Sequence, residues 1–524
     1  MPTLTWIGKD KVVNHHHDVP FRVLEQQYSF GEADSFNRII HGDNLEALKA
    51  LLPYYEGRIK CIYIDPPYNT GNENWVYNDN VSDPKLKRWL GKVVGKESED
   101  LTRHDKWLCM MYPRLVLLNR LLADDGTLFV SIDDIEVSSL RILLDEIFGR
   151  NHLISQFIWK SRVSEDARSV TGVSNDHEYI LCYHKKDLSG LRGVEKDLTK
   201  FTNPDNDVRG PWRSADLTGL ATREQRPNLH YDLTDPVTGT VYESPPKGWR
   251  FEQSTMAKRI AEARILFPNL SSGRPRQKVF VNEMSSAYKA ISSVILSTNT
   301  AQGTRIINEI FGTSVFDFPK PVELPQMLIE QVTHDFPDAI ILDSFAGSGT
   351  TAHAVLNLNK QDGGNRQFIL VEMEDYAETI TAERVRRVID GYGTKEGTGG
   401  GFAYYELGPA LFTEDNLLNE TVPLARIREY IWYSETRTPL PTTRLPETGE
   451  GSESPHFLGK LFDTAYYFYY EPDQLTTLDY DFLPTIQTPA EQYVVYADNC
   501  LIAREWLQQR HIIFKKIPRD ISRF

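Results

Sequence analysis

Two short apolar runs, far apart in the chain, constrain the fold more than any other feature. KCIYI at 60–64 runs into an aspartate, two prolines and a tyrosine (DPPY, 65–68), and AIILD at 339–343 runs into SFAGSGTT. Neither run alternates polar with apolar residues, as expected of parallel strands covered on both faces. Elements alternate around them. RIIHG (38–42) reads as a strand before a helix through Leu45–Leu52, capped by Asp43 or Asn44. Trp107–Leu122 reads as an apolar helix interrupted at Pro113. GTLFVSI (126–132) is another buried strand. Asp133 or Asp134 caps the next helix, which carries Leu140, Leu143, Leu144, Ile147 and Phe148 on one stripe and ends at Gly149. LISQFIW (153–159), HEYILCYHK (177–185) and QFILVEME (367–374) are further strands. This alternation predicts the α/β class, with a doubly wound, mostly parallel sheet.

At 524 residues the chain is too long for one core. Residues 1–35 form a polar lead-in, and 36–186 a first α/β half. From 187 to 310 the regularity fades into Gly-, Pro-, Trp- and Arg-bearing segments, which predict a separately folded insert. The α/β pattern returns over 311–392. GTKEGTGGG (393–401) reads as a linker, and 402–524 as a C-terminal region of unassigned role. No apolar run reaches the roughly 18 residues that span a bilayer, and the start lacks a secretion signal. The four cysteines form no CxxC pair, so the chain is expected to be cytoplasmic and reduced, with no metal site. The net charge of -15 argues against a nucleic-acid partner until it is divided. Residues 160–318 hold 22 Lys and Arg against 19 Asp and Glu, so the middle is locally basic within an acidic protein.

Asp343 opens the loop DSFAGSGTT. Gly347 and Gly349 let the backbone turn sharply and approach a ligand, and the helix starting near Thr350 offers free N–H groups. No lysine follows the last glycine, so this is not a phosphate-gripping loop. Glu372, one strand later, stands where an acid can accept both hydroxyls of a ribose.

The DPPY segment carries a different chemistry. Asp65 presents a carboxylate at the sheet's carboxyl edge. Pro66 and Pro67 stiffen the chain and leave carbonyls as acceptors, and Tyr68 supplies a flat ring. One acid, one carbonyl and one ring suit a planar group bearing an exocyclic amine. The acceptors take its hydrogens and stabilise the positive charge that develops when its nitrogen attacks a methyl donor. Stacking is worth roughly 1–3 kcal/mol per base, comparable to the few kcal/mol needed to turn a base out of a duplex.

DPPYNTG followed much later by DSFAGSGTT resembles the S-adenosylmethionine-dependent DNA amino-methyltransferases, in the permuted order with the catalytic motif first. HGDNLEAL (41–48), residues 106–133, NPDNDVRGPWR (203–213), FDFPKPVEL (316–324) and FILVE (368–372) further resemble the modification subunit of type III restriction–modification systems. The resemblance covers roughly 36–390. It implies a Rossmann-like sheet with an inserted target-recognition domain and a small C-terminal region. Aspartate before PPY implies adenine N6 as the target. Asp65, Pro66, Pro67 and Tyr68 would hold the adenine. Asp343, Phe345, Gly347, Gly349 and Thr350 would line the methionine moiety of the cofactor, with Glu372 at its ribose and Asp43 near its adenine end. Phe318, Lys320 and Pro321 would close on the methionine end from the other side. The implied partners are double-stranded DNA, a second copy of the chain and an ATP-dependent restriction subunit.

Arg209, Arg213, Arg250, Arg274 and Arg276 in the insert are candidate DNA contacts, with no spacing to separate base readers from phosphate grips. His15, His16 and His17 are adjacent, poor geometry for one metal ion, and read as a solvated turn. The run 466–470 reads as strand or interface packing. The rival readings are a solitary adenine methyltransferase, a DNA-recognition subunit with a vestigial site, and methylation of RNA or protein.

Overall fold

The computed structural model describes residues 3–32, 35–70, 84–96, 102–166, 169, 171–186, 190–268, 272–441 and 454–524. The chain divides into two compact units, one made of residues 1–191 and 292–524 and the other of Arg192–Ile291. The second is narrower than the expected 187–310. Residues 292–310 belong to the first unit, where Val294–Ile295 pairs in its sheet and Thr300–Phe311 is helical.

That sheet has ten strands: β1 (Arg22–Gly31), β2 (Arg38–His41), β3 (Ile59–Ile64), β4 (Leu122–Ile132), β5 (Leu153–Trp159), β6 (Glu178–His184), β7 (Val294–Ile295), β8 (Ile340–Asp343), β9 (Gln367–Glu372) and β10 (Gly401–Ala410). Their spatial order is β1-β10-β2-β9-β8-β3-β4-β6-β5-β7. The run from β10 to β4 is parallel, and β6 lies antiparallel to both β4 and β5. Every residue of β3 is buried, and Ile341–Asp343 of β8 likewise, which is why neither strand alternates. Because β8 pairs directly with β3 (Leu342 opposite Ile62), the acids that end them, Asp343 and Asp65, emerge side by side.

Three expectations about connections need correction. The 1–35 lead-in supplies an edge strand, since β1 pairs antiparallel with β10. The 393–401 segment runs straight into β10, which inserts between β1 and β2, so the region after 401 starts inside the main sheet. Glycine richness suggested slack, but the pairing partners lay too far off in sequence to be read locally. The helix α2 (Arg103–Leu121) continues through Pro113, and α1 (Asn44–Tyr55) contains Pro53. A proline removes one helical hydrogen bond, yet twelve buried side chains hold α2 straight through that loss. Asp43 is the residue that caps α1, accepting from the N–H groups of Leu45 and Glu46. Asp133 instead accepts from Ile135 N–H in a turn, and α3 starts only at Val137 (Val137–Leu144). Gly149 ends the following turn with φ of 96°.

After β10 the first unit adds a helix, Leu424–Thr436, and a four-stranded sheet whose strands Thr464–Phe468, Gln492–Ala497 and Ile512–Lys516 run parallel. Tyr467 and Phe468 of the tyrosine-rich run are buried in it. His15–Asp18 is a helical turn rather than a solvated one. His16 is buried, and burial lowers its imidazole to about 4. The second unit is built on a three-stranded antiparallel sheet (Ile265–Leu266, Arg276–Phe280, Trp212–Asp216) over a core that includes Leu217, Tyr242, Trp249 and Met256. No helix among the described residues is long and apolar enough to cross a membrane.

Candidate active site

The glycine loop is held from below by two buried acids. Asp343 accepts from Phe345 N–H at 3.0 Å and from the Thr351 hydroxyl. Glu372, at the end of β9, accepts from Gly347 N–H at 2.7 Å and from the N–H groups of Met373 and Glu374 at 2.9 and 3.0 Å. Burial pushes both carboxyls up to about 7. Gly347 and Gly349 have φ of 51° and 81°, the left-handed region that side chains disfavour. The loop then enters a helix, Thr350–Asp362, whose N-terminal end carries partial positive charge. Beneath it lies Arg384, fully buried. It donates to the Ser348 hydroxyl at 2.7 Å and to the Thr350 hydroxyl at 2.8 Å, and burial lowers it to about 10. On the β2 side the Asn44 amide donates to Ser344 O, tying the start of α1 to the loop. Asn44 Oδ1 and Ser344 Oγ are buried without a hydrogen-bond partner among the described residues. Open polar atoms, left-handed glycines and a helix N-terminus fit a nucleotide-like cofactor with a carboxylate end. Asp43, half-exposed and 3.9 Å from Arg114, stands at the β2 edge of this loop.

Asp65 faces the same loop. One cavity is lined by Tyr63, Asp65, Phe318 and Lys320 on one side and Phe345, Ser348 and Thr350 on the other. The free space there is about 20 Å³, room for one water and not for a purine. Phe318 is half-exposed and has φ of 51°, a strained value for an aromatic residue. The Lys320 carbonyl adjoins the Thr350 hydroxyl (3.5 Å), whereas its ammonium turns away from the loop toward Asp65.

That ammonium organises the DPPY corner. It lies 2.9 Å from Asp65 Oδ2, 3.3 Å from Glu178 Oε2 and 2.8 Å from the Tyr68 hydroxyl, which in turn donates to Glu178 at 2.8 Å. Burial raises the Asp65 carboxyl against the opposing pull of Lys320. Burial alone would lower the Lys320 ammonium, but Asp65 and Glu178 more than reverse this and hold it above its usual value. Asp65 Oδ1 is buried with no hydrogen-bond partner among the described residues. Pro67 O accepts from the Trp107 indole at 2.6 Å, so it anchors the turn to α2. Asn69, left-handed and fully buried, donates to Glu136 and fixes the far end of the motif. Sequence reasoning missed Glu178, Trp107, Arg384, Asn44 and Ser344.

In the insert the candidate arginines separate. Arg209 grips Asp207 through two nitrogens, at 2.6 and 2.8 Å, and covers Phe280, so it braces its own loop. Arg276 donates to Ser214, and Arg213 lies over Phe201. Arg250 and Arg274 are exposed and carry no ion pair among the described residues.

Asp65 thus faces the glycine loop across one cavity, with the Tyr68 hydroxyl tied to the same Lys320 ammonium. The DNA methylase family model matches residues 59–383, and the chain belongs to that family. It is 33% identical to the type III restriction-modification enzyme StyLTI Mod subunit of Salmonella typhimurium, over 71% of this chain and 58% of that one. It is 28% identical to the EcoP15I Mod subunit of Escherichia coli (79% and 72%) and 34% identical to the type II methyltransferase M.KpnI of Klebsiella pneumoniae (67% and 84%). The chain thus spans less than two thirds of the StyLTI subunit's length.

Proposed function

We propose that this protein methylates N6 of an adenine turned out of duplex DNA at a specific sequence, using S-adenosylmethionine, as the modification and recognition subunit of a type III restriction–modification system. The observation that carries the chemistry is the single cavity shared by Asp65 and the glycine loop. Family membership and the Mod relatives support the rest.

When bound, S-adenosylmethionine supplies a methyl group on positively charged sulfur. Phe345, Gly347, Gly349 and Thr350 would hold its methionine end, under Phe318 and Pro321, with Asp343 shaping the loop. Glu372 would meet the ribose through lone pairs left beside its backbone bonds, and Asp43 the adenine end. For the target base, Asp65 Oδ1 and the Pro66 carbonyl accept the two amine hydrogens while the Tyr68 ring stacks on the purine. In the reaction the nitrogen bonds the methyl carbon as the carbon–sulfur bond breaks with its electron pair left on sulfur, and it gives up one proton to water. The positive charge it carries in between is stabilised by those two acceptors. The insert, with sixteen Lys and Arg against twelve Asp and Glu over 192–291, would contact the duplex. In this reading the protein is cytoplasmic, pairs with a second copy of itself, and depends on an ATP-dependent restriction subunit for cleavage.

Purified protein, plasmid DNA and methyl-labelled cofactor test this directly. Label should appear in DNA as N6-methyladenine and be lost with Asp65→Ala; no label in DNA from the unaltered protein rejects the proposal. A methyltransferase that works without a restriction subunit in its complex is the second reading; the match covers 84% of M.KpnI, a type II methyltransferase. Failure to co-purify with any ATP-hydrolysing partner from the native host would select it.

A further inference from the structure

We infer that Glu178 is a positioning residue for methyl transfer: it holds the Tyr68 ring in place and returns to the base-holding cluster the negative charge that Lys320 removes. The inference rests on the adenine-methylating reading of the same site.

Asp65 is the acceptor that stabilises a nitrogen turning positive, yet a lysine ammonium lies 2.9 Å from its Oδ2. Alone, that contact would cancel the carboxylate and set a cation beside a developing cation, which opposes the reaction. Glu178 lies 3.3 Å from the same ammonium. With it, the trio of Asp65, Lys320 and Glu178 carries one net negative charge. All three side chains are no more than 16% exposed, so solvent does little to screen the balance. Lys320 also fixes the carboxylate's orientation: it occupies Oδ2, while Oδ1 is buried with no hydrogen-bond partner among the described residues and faces the amine.

The second role is geometric. The Tyr68 hydroxyl donates to Glu178 at 2.8 Å and accepts from Lys320 at 2.8 Å, so the ring that stacks on the base is clamped at its far end. Glu178 opens β6, which runs antiparallel to β4 with Tyr179 opposite Ile132. The start of β6 therefore reaches the carboxyl edge where the parallel strands end, and an acid there meets Asp65.

The test measures kcat for methylation of a duplex carrying the target adenine, and the fluorescence of the same duplex with 2-aminopurine at that position as the signal of base capture. Glu178→Gln keeps an acceptor for Tyr68 and removes the charge. It should lower kcat by on the order of tenfold, less than loss of a direct transition-state donor, with the 2-aminopurine signal nearly unchanged. E178Q/K320M restores the single negative charge while Asp65 Oδ2 and the Tyr68 hydroxyl lose their ammonium partner, so kcat should rise above that of E178Q without reaching the unaltered value, a partial rescue that purely structural damage does not give. Tyr68→Phe removes the clamp alone and should weaken the 2-aminopurine signal more than kcat at saturating DNA. An E178Q kcat equal to that of the unaltered protein, or a double variant no faster than E178Q, overturns the inference. Should E178Q not fold, Lys320→Met answers instead. The ionisable groups left around Asp65 are then Glu178, Tyr63, Tyr68 and Asp343, and Asp65, without its cation and beside the Glu178 carboxylate, should keep its proton to higher pH and move the acid limb of the kcat–pH profile upward; an unmoved limb overturns the inference. Absence of methyl transfer by the unaltered protein overturns the functional reading and this inference with it, whereas an active protein beside an indifferent E178Q overturns the inference alone.

Discussion

Single side chains at this site do their work through what they hold in place. Trp107 donates to the partly buried Pro67 carbonyl. Trp107→Phe keeps an aromatic side chain but removes the N–H and leaves a gap, and the stranded carbonyl alone costs about 1–3 kcal/mol. The expected outcome is a lower melting temperature and a lower kcat with cofactor affinity unchanged, read by calorimetry beside methylation kinetics. Glu372 gives a pH prediction. Its folded carboxyl keeps its proton up to about 7, against an ordinary value of 4.5, because of burial. The folded state therefore binds the proton more tightly, and the stability this confers is present below pH 4.5 and lost as pH rises to 7. Each pKa unit is worth about 1.4 kcal/mol, so the cofactor-free protein should melt several degrees higher near pH 5 than near pH 7.5. Glu372→Gln should reduce that trend and leave the part that Asp343 contributes through the same burial, and a variant with the same slope would dismiss the assignment.

At the scale of elements, the segment bearing Lys320 depends on a helix behind it. Gly303, in the Thr300–Phe311 helix, has no room for a side chain: a Cβ there would meet Pro319 O at 2.0 Å. Gly→Ala inside a helix ordinarily gains up to about 1 kcal/mol from propensity, but here the contact with backbone decides the sign. Gly303→Ala should displace the 316–321 segment, lower kcat/KM at least several-fold and reduce thermal stability. Unchanged kinetics would show that the segment tolerates the shift. Elements also explain which site residues were legible. Asp65, Asp343 and Glu372 end apolar strands in the forward direction, so local pattern exposes them. Glu178 begins a strand. Its place at the site follows only from β6 running backwards, which no local signal in HEYILCYHK carries.

For the whole molecule, DNA binding should divide the insert's arginines. Arg250→Ala and Arg274→Ala should each flatten the dependence of log affinity on log salt by about one unit. Arg209→Ala should leave that slope nearly intact and lower the melting temperature, because Arg209 already grips Asp207. Binding titrations across a salt series decide this, and an unchanged slope in both exposed variants contradicts the basic-insert argument. A sedimentation mass near 60.1 kDa at micromolar concentration would argue against the proposed pairing of two copies.

The chain by itself determined the α/β class, the buried strands, the glycine loop and the DPPY corner, because each is written in contiguous residues with short-range rules. Tertiary structure alone decided that β10 would lie between β1 and β2, that Trp107 would anchor Pro67, and that Lys320 would point to Asp65 while Glu178 balanced it. Those outcomes arise from pairings between residues forty to several hundred positions apart. Such contacts are selected by packing and charge across the folded sheet, where neighbours in space are strangers in sequence.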